Sequence, residues 1–159
     1  MSLLEATAGL SLTTIVLIVA VPILQRELRA SHQAEARDTL LRIGAAAATY
    51  AQVPKHRHGL PESIARTPAD VPRGTPVVVD AEAWAPWGPL MPEVVPPGFP
   101  QRYAYSFVRI AGDHAAFDAA AEGDLDGDGV LSRATLHGAV DASGRMQLAP
   151  DVEFIDALE

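Results

Sequence analysis

Asp124-Leu125-Asp126-Gly127-Asp128-Gly129 sets three carboxylates on alternate residues and closes with a glycine. A hard divalent cation takes oxygen ligands from that pattern, which is the D-x-D-x-D-G opening of an EF-hand-type calcium loop. Counting on, the Val130 carbonyl stands at the seventh loop position and Ser132 at the ninth. The twelfth is Thr135, where a bidentate Glu is needed. The flanking segments also read as strands, so this is not an EF-hand. Two readings stand. One is structural calcium held by Asp124, Asp126, Asp128, Val130 and Ser132. The other is a bare hairpin turn, because Asp-Gly is a strong two-residue turn signal.

Other chemistry is sparse. Lys55-His56-Arg57-His58 holds two imidazoles but no third ligand at metal spacing, so it reads as a solvated basic loop. His32 falls on a helix, and His114 and His137 fall in a region of strands. There is no nucleophile–base–acid set, no phosphate loop and no H-E-x-x-H, so the chain is not expected to be an enzyme. It contains no cysteine. That excludes disulfides, a thiol nucleophile, iron–sulfur ligation and c-type haem attachment. A small domain without disulfides must hold together by packing, bound ions or assembly.

Glu5 is the remaining ionisable residue in an unusual place. From Ala6 to Leu24 the chain carries no charge. At about 1.5 Å per residue, such a run spans close to the ~30 Å hydrocarbon core of a bilayer. A carboxylate among apolar side chains costs several kcal/mol unless it is matched. The nearest fixed positive group is the α-amine of Met1. In a staggered bundle of identical helices, Glu5 of one copy meets the Met1 amine of the next, and any register that leaves the acid alone is penalised. The run does not read as a signal peptide. No base precedes it, no small-x-small site closes it, and a strong helix former follows it directly.

The element that positions these groups is expected to be one helix over residues 2–53, ended by Pro54. Leu24, Leu28, Leu40, Leu41, Ile43, Ala47 and Tyr50 give its second half an apolar stripe. Arg26, Glu27, Arg29, Glu35, Arg37, Asp38 and Arg42 cover the rest as a solvated face. About fifty residues make a rod of roughly 75–80 Å, more than a domain of the remaining length covers. The apolar front half must then sit in lipid or among copies of itself. Pro22 removes one helical hydrogen bond, tolerated in a bilayer or bundle as a kink, and local melting is expected within residues 13–23.

Residues 54–100 hold eleven of the thirteen prolines and read as a long irregular connection, with a short helical turn near Pro61–Arg66 and with Trp84 and Trp87 as anchors. Residues 101–149 alternate. Arg102–Ile110, Ala115–Ala121, Arg133–Val140 and Arg145–Leu148 read as strands, joined by turns at Gly112–Asp113, Gly123–Gly129 and Asp141–Gly144. The expected fold class is α+β: a long N-terminal helix, lollipop-like, packed on a C-terminal antiparallel β-meander. Its regions are 1–24 (membrane span or filament core), 25–53 (amphipathic helix), 54–100 (variable loop) and 101–159 (sheet, Asp/Gly loop and acidic tail, with Phe154 and Ile155 as anchors).

Charge narrows the partners. The chain sums to −8. Residues 1–53 carry four Arg against four acids, and residues 54–159 carry eight basic against sixteen acidic residues. An acidic body argues against nucleic acid and against docking on anionic lipid.

The N-terminal pattern resembles a mature type IV pilin or pseudopilin. Glu at position five, an uncharged apolar stretch, Pro22 and a continuing amphipathic helix carry the resemblance over residues 1–53. The Tyr103–Tyr105–Phe107 strand and the Asp/Gly loop are also similar to pilin-like proteins. Residues 54–100 match nothing in that family. The chain departs from it in having Met1 where Phe is usual, Thr14 where Gly is frequent, and no C-terminal disulfide. The resemblance implies a pilin-like fold, leader removal by a prepilin peptidase and N-methylation of Met1. It also implies handling by pilus assembly machinery, an inner-membrane stage, and final assembly with copies of itself into a helical filament at the cell surface. Met1, Glu5 and Pro22 are then the assembly residues. Alternatives are a minor pilin or type II secretion pseudopilin, and a single-pass membrane-anchored calcium-binding module.

Overall fold

The computed structural model describes residues 30–53, 59–90, 98–111, 115–141, 143 and 145–155. The chain divides into two compact units, Met1–Gln33 and Ala34–Glu159. Of the first unit the described residues are 30–33, all helical. The expectations for residues 2–29, including Glu5, the Pro22 kink and the melting at 13–23, lie outside the described residues. So do Lys55–His58, the Gly112–Asp113 turn, His114 and the last four residues of the tail.

Helix α1 covers residues 30–52. Alanine at 34, 36, 45–48 and 51 gives it high helix propensity. It stops two residues short of Pro54, whose ring disfavours helical geometry at the residue before it. Ala36, Leu40, Ile43, Ala47 and Ala51 are buried at helical spacing. Leu41, expected on that stripe, is instead exposed.

The sheet is built from β1 (Ile64–Thr67), β4 (Ala104–Ile110), β5 (Ala116–Gly123), β6 (Ser132–Val140), β7 (Met146–Leu148) and β8 (Glu153–Ile155). Its order is β1-β4-β5-β6-β7, with β8 also on β6, and every pairing is antiparallel. β7 takes the C-terminal part of β6 (Gly138 opposite Leu148) and β8 the N-terminal part (Ala134 opposite Phe154). A separate ribbon pairs β2 (Val77–Val78) with β3 (Pro100–Gln101). Between them lies a short 3-10 helix, Ala85–Leu90.

One face of the sheet packs on α1. Along β6, buried and exposed positions alternate, with Ala134, Leu136 and Gly138 inside and Arg133 and His137 outside. Tyr105, Phe107, Phe117, Ala119, Ala121 and Leu136 share one core with Leu40, Ile43 and Ala47 of the helix. The Phe107 and Phe117 rings stack across β4 and β5 at 4.9 Å. Gly44 lets the helix come close, since a Cβ there would stand 2.8 Å from a methyl of Leu136. Trp84 and Trp87 are buried with ring centroids 5.9 Å apart. The Trp87 indole N–H donates to the Thr67 hydroxyl at 3.0 Å. That bond ties the proline-rich segment to β1.

The expected pilin-like architecture is corrected. The described part of the helix covers residues 30–52, and a six-stranded antiparallel sheet that is not clearly pilin-like follows it. The sheet is not a plain meander of three or four strands. The segment read as an irregular connection supplies β1, which pairs beside β4 where a helical turn was expected. The tail supplies β8, which returns to β6 on the same edge as β7. Both additions have one physical cause. β4 and β6 carry backbone N–H and C=O groups along both edges, and the flanking segments pair with the edges that the central hairpin leaves open.

Candidate functional site

Gly123 and Ser132 face each other at the end of the β5–β6 hairpin, so the loop between them carries Asp124, Asp126 and Asp128 at the mouth of the sheet. A second segment holds this loop. The Asp124 N–H donates to the Pro72 carbonyl at 3.2 Å, and the Asp124 carbonyl accepts from the Gly74 N–H at 2.7 Å. Proline at 72 suits this edge, since the contact needs only its carbonyl.

Asp124 is 1% exposed. Its Oδ1 accepts the Gly127 N–H at 2.7 Å and its Oδ2 the Gly129 N–H at 3.1 Å. Asp126 Oδ1 accepts the Asp128 N–H at 3.1 Å, and Asp128 Oδ1 accepts the Val130 N–H at 2.7 Å. Three aspartates thus cap successive turns of their own loop, the usual local role of the residue. Gly127 and Gly129 have φ of 83° and 97°, which glycine adopts without steric penalty.

The three carboxylates also converge. An oxygen from each lies within 4.8 Å of the others, and this is the one such grouping of His, Cys, Asp or Glu among the described residues. Their remaining lone pairs fit the first three oxygen positions of a calcium loop. The other two expected ligands, Val130 and Ser132, lie just beyond Asp128 in the chain. Val130 is exposed and uses its N–H on Asp128. Ser132 is buried as the first residue of β6, and its hydroxyl has no hydrogen-bond partner. Thr135 sits within β6, opposite Ala120 and Glu153.

Other polar groups became visible only through strand register. Asp118 and His137 are directly opposite on β5 and β6, and His137 Nδ1 lies 2.8 Å from Asp118 Oδ1. Glu122 meets Arg66 at 3.0 Å and Arg133 at 3.4 Å. Arg37 of α1 meets Asp151 at 3.0 Å, and Arg102 meets Glu35 at 3.2 Å. In the sequence, period-two alternation could have placed Asp118 and His137 on the outer face. It could not have made them neighbours.

Two tyrosines are buried by the helix. Burial, then the nearby Glu35 charge, pushes the Tyr103 hydroxyl up to about 12. Burial pushes Tyr105 up as well. Tyr103 lies near Ser132 and Tyr105 near Thr39, yet neither phenol reaches hydrogen-bond geometry. They serve as core side chains whose protonated form is favoured.

Comparison with protein-family models, with characterised proteins and with solved structures finds no match to this chain. Among the described residues no helix is long and apolar enough to cross a membrane. The apolar run 6–24 falls outside them.

Proposed function

We propose that this chain is a structural subunit of an extracellular type IV pilus-like helical filament, assembled through its N-terminal apolar segment. One observation carries the reading: an uncharged run from Ala6 to Leu24 with a single carboxylate, Glu5, at its head. Burying that run across many copies supplies cohesion. Glu5 supplies register, because only a neighbour's positive group matches its charge. The acidic domain coats the filament. Before assembly the same segment holds the subunit in the inner membrane, where a prepilin peptidase and the assembly machinery are its partners. Association is head-to-tail and therefore open-ended. A minor pilin or secretion pseudopilin has the same physics and differs in abundance within the fibre.

A second reading is a membrane-anchored module that holds calcium. The converging carboxylates of Asp124, Asp126 and Asp128 favour it. Glu5→Ala separates the two. Electron microscopy of sheared surface material from cells carrying the chain should show fibres, and Glu5→Ala should abolish or shorten them. A parent chain found solely as membrane-bound monomer overturns the filament reading, as does normal assembly of the variant. Intact mass of the sheared material reports leader removal and N-methylation together.

A further inference from the structure

Tyr105 carries a hydroxyl that the fold leaves unused. The residue is fully buried, and its phenol oxygen has no hydrogen-bond partner among the described residues. Its ring belongs to the core on β4, while its hydroxyl lies beside Thr39 and near Glu35 of α1. Burial keeps the phenol protonated, so it has a proton to give. A buried donor without an acceptor is unfavourable unless a bound group supplies one.

That hydroxyl is at the floor of an open cavity of about 280 Å³, whose lining includes Tyr105. α1 gives the cavity Glu35, Thr39 and Arg42, which stand at i, i+4 and i+7 and so share one helix face. The start of β3 gives it Phe99 and Gln101. Gln101 is buried, and its side-chain amide donates to the Phe99 carbonyl at 2.8 Å, which fixes the backbone under the Phe99 ring. Phe99 is 63% exposed, the one exposed aromatic ring among the described residues.

The charges of this cavity are already matched. Glu35 meets Arg102 at 3.2 Å, and Arg42 meets Asp38 at 2.7 Å. The walls therefore offer donors and acceptors without a spare charge, which suits a neutral ligand better than an ion. From position 35 to position 42 those groups spread along roughly 10 Å of helix axis. That spacing fits a row of ligand hydroxyls rather than one polar atom. The Phe99 ring beside them offers an apolar face. A sugar ring has both features, hydroxyls around its rim and C–H groups on a face.

We propose that the cavity between α1 and β3 binds a neutral sugar residue, its C–H face on Phe99 and its hydroxyls on Glu35, Thr39, Arg42 and Tyr105. The site goes beyond the filament reading and stands without it.

The test uses the full-length chain in a detergent that contains no sugar. It is titrated with the methyl glycosides of glucose, galactose, mannose and N-acetylglucosamine, and binding is followed by ligand-observed NMR saturation transfer. At least one glycoside should bind, with the strongest transfer at its ring C–H protons. Phe99→Ala, at an exposed position, should weaken that binding about fivefold or more at unchanged Tm. Tyr105→Phe removes only the unpaired hydroxyl. It should weaken binding about tenfold, while the Tm without sugar stays level or rises. Failure of every glycoside to bind overturns the proposal, as does binding that both variants leave at parental strength. Preference for free lysine or glutamate over every glycoside also overturns it, because the cavity then takes a charged ligand. None of these results bears on fibres, which Glu5→Ala tests separately.

Discussion

Asp124 does two jobs at one point of the chain. Its backbone joins the Pro72–Gly74 segment, and its buried carboxylate caps two glycine N–H groups. Replacing it by Ala leaves both donors without their charged acceptor. We expect a loss of about 2–3 kcal/mol in denaturant melts of the full chain run in chelator. Repeating those melts with calcium tests the cation. A rise in Tm for the parent that is missing in Asp124→Ala assigns calcium to the loop, and superimposable curves assign a turn alone. Asp141 gives the residue-scale pH prediction. The Ser143 hydroxyl at 2.6 Å, the Arg145 N–H and the Gln147 amide all donate to it and hold its carboxyl well below the usual range. A folded-state value below the unfolded one contributes stability above about pH 4, lost as the pH falls through the folded value. Asp151, lowered first by the Val152 N–H and then by Arg37, acts in the same direction. Thermal melts should therefore show a fall in Tm on acidification below about pH 4, and Asp141→Asn should flatten that fall.

At the scale of elements, the sheet's inner face is shaped by where side chains are missing. Gly44 on α1 and Gly138 on β6 each stand against Leu148 of β7, and Gly138 also lies under the Phe117 ring. A methyl at 138 would overlap that ring. Gly138→Ala should therefore cost about 1–3 kcal/mol through overpacking, measured as a shift of the urea midpoint at unchanged slope. The strand segments were readable because β-forming residues alternate between turn signals. The stripe on α1 was readable from helical periodicity. β1 and β8 were not readable as parts of the same sheet. Ile64–Thr67 sits in proline-rich surroundings and Glu153–Ile155 in an acidic tail, so local composition points each away from a strand. Their pairing partners, Phe107 and Ala134 among them, are distant in sequence.

For the whole molecule, the filament reading depends on the partition between an apolar segment and an acidic head. On that reading the segment coheres by burying apolar surface, and Glu5 chooses the register. The net charge of −8 lies in residues 54–159, so on that reading neighbouring heads repel one another, and more strongly at low ionic strength. The Glu5→Ala fibre assay tests that partition directly.

The linear order of residues was enough to mark the uncharged run with its leading acid, the carboxylates on alternate positions, the lack of cysteine and the alternation along β4, β5 and β6. Each of those is a property of neighbours in the chain, set by covalent spacing and the periods of helix and strand. Folding alone decided that the proline-rich segment and the tail join the sheet, that Asp118 meets His137, and that Arg73, Val77 and Leu131 line one groove. Those are contacts between distant residues. They are chosen by the cooperative burial of one core and the pairing of its open strand edges, which no local window contains.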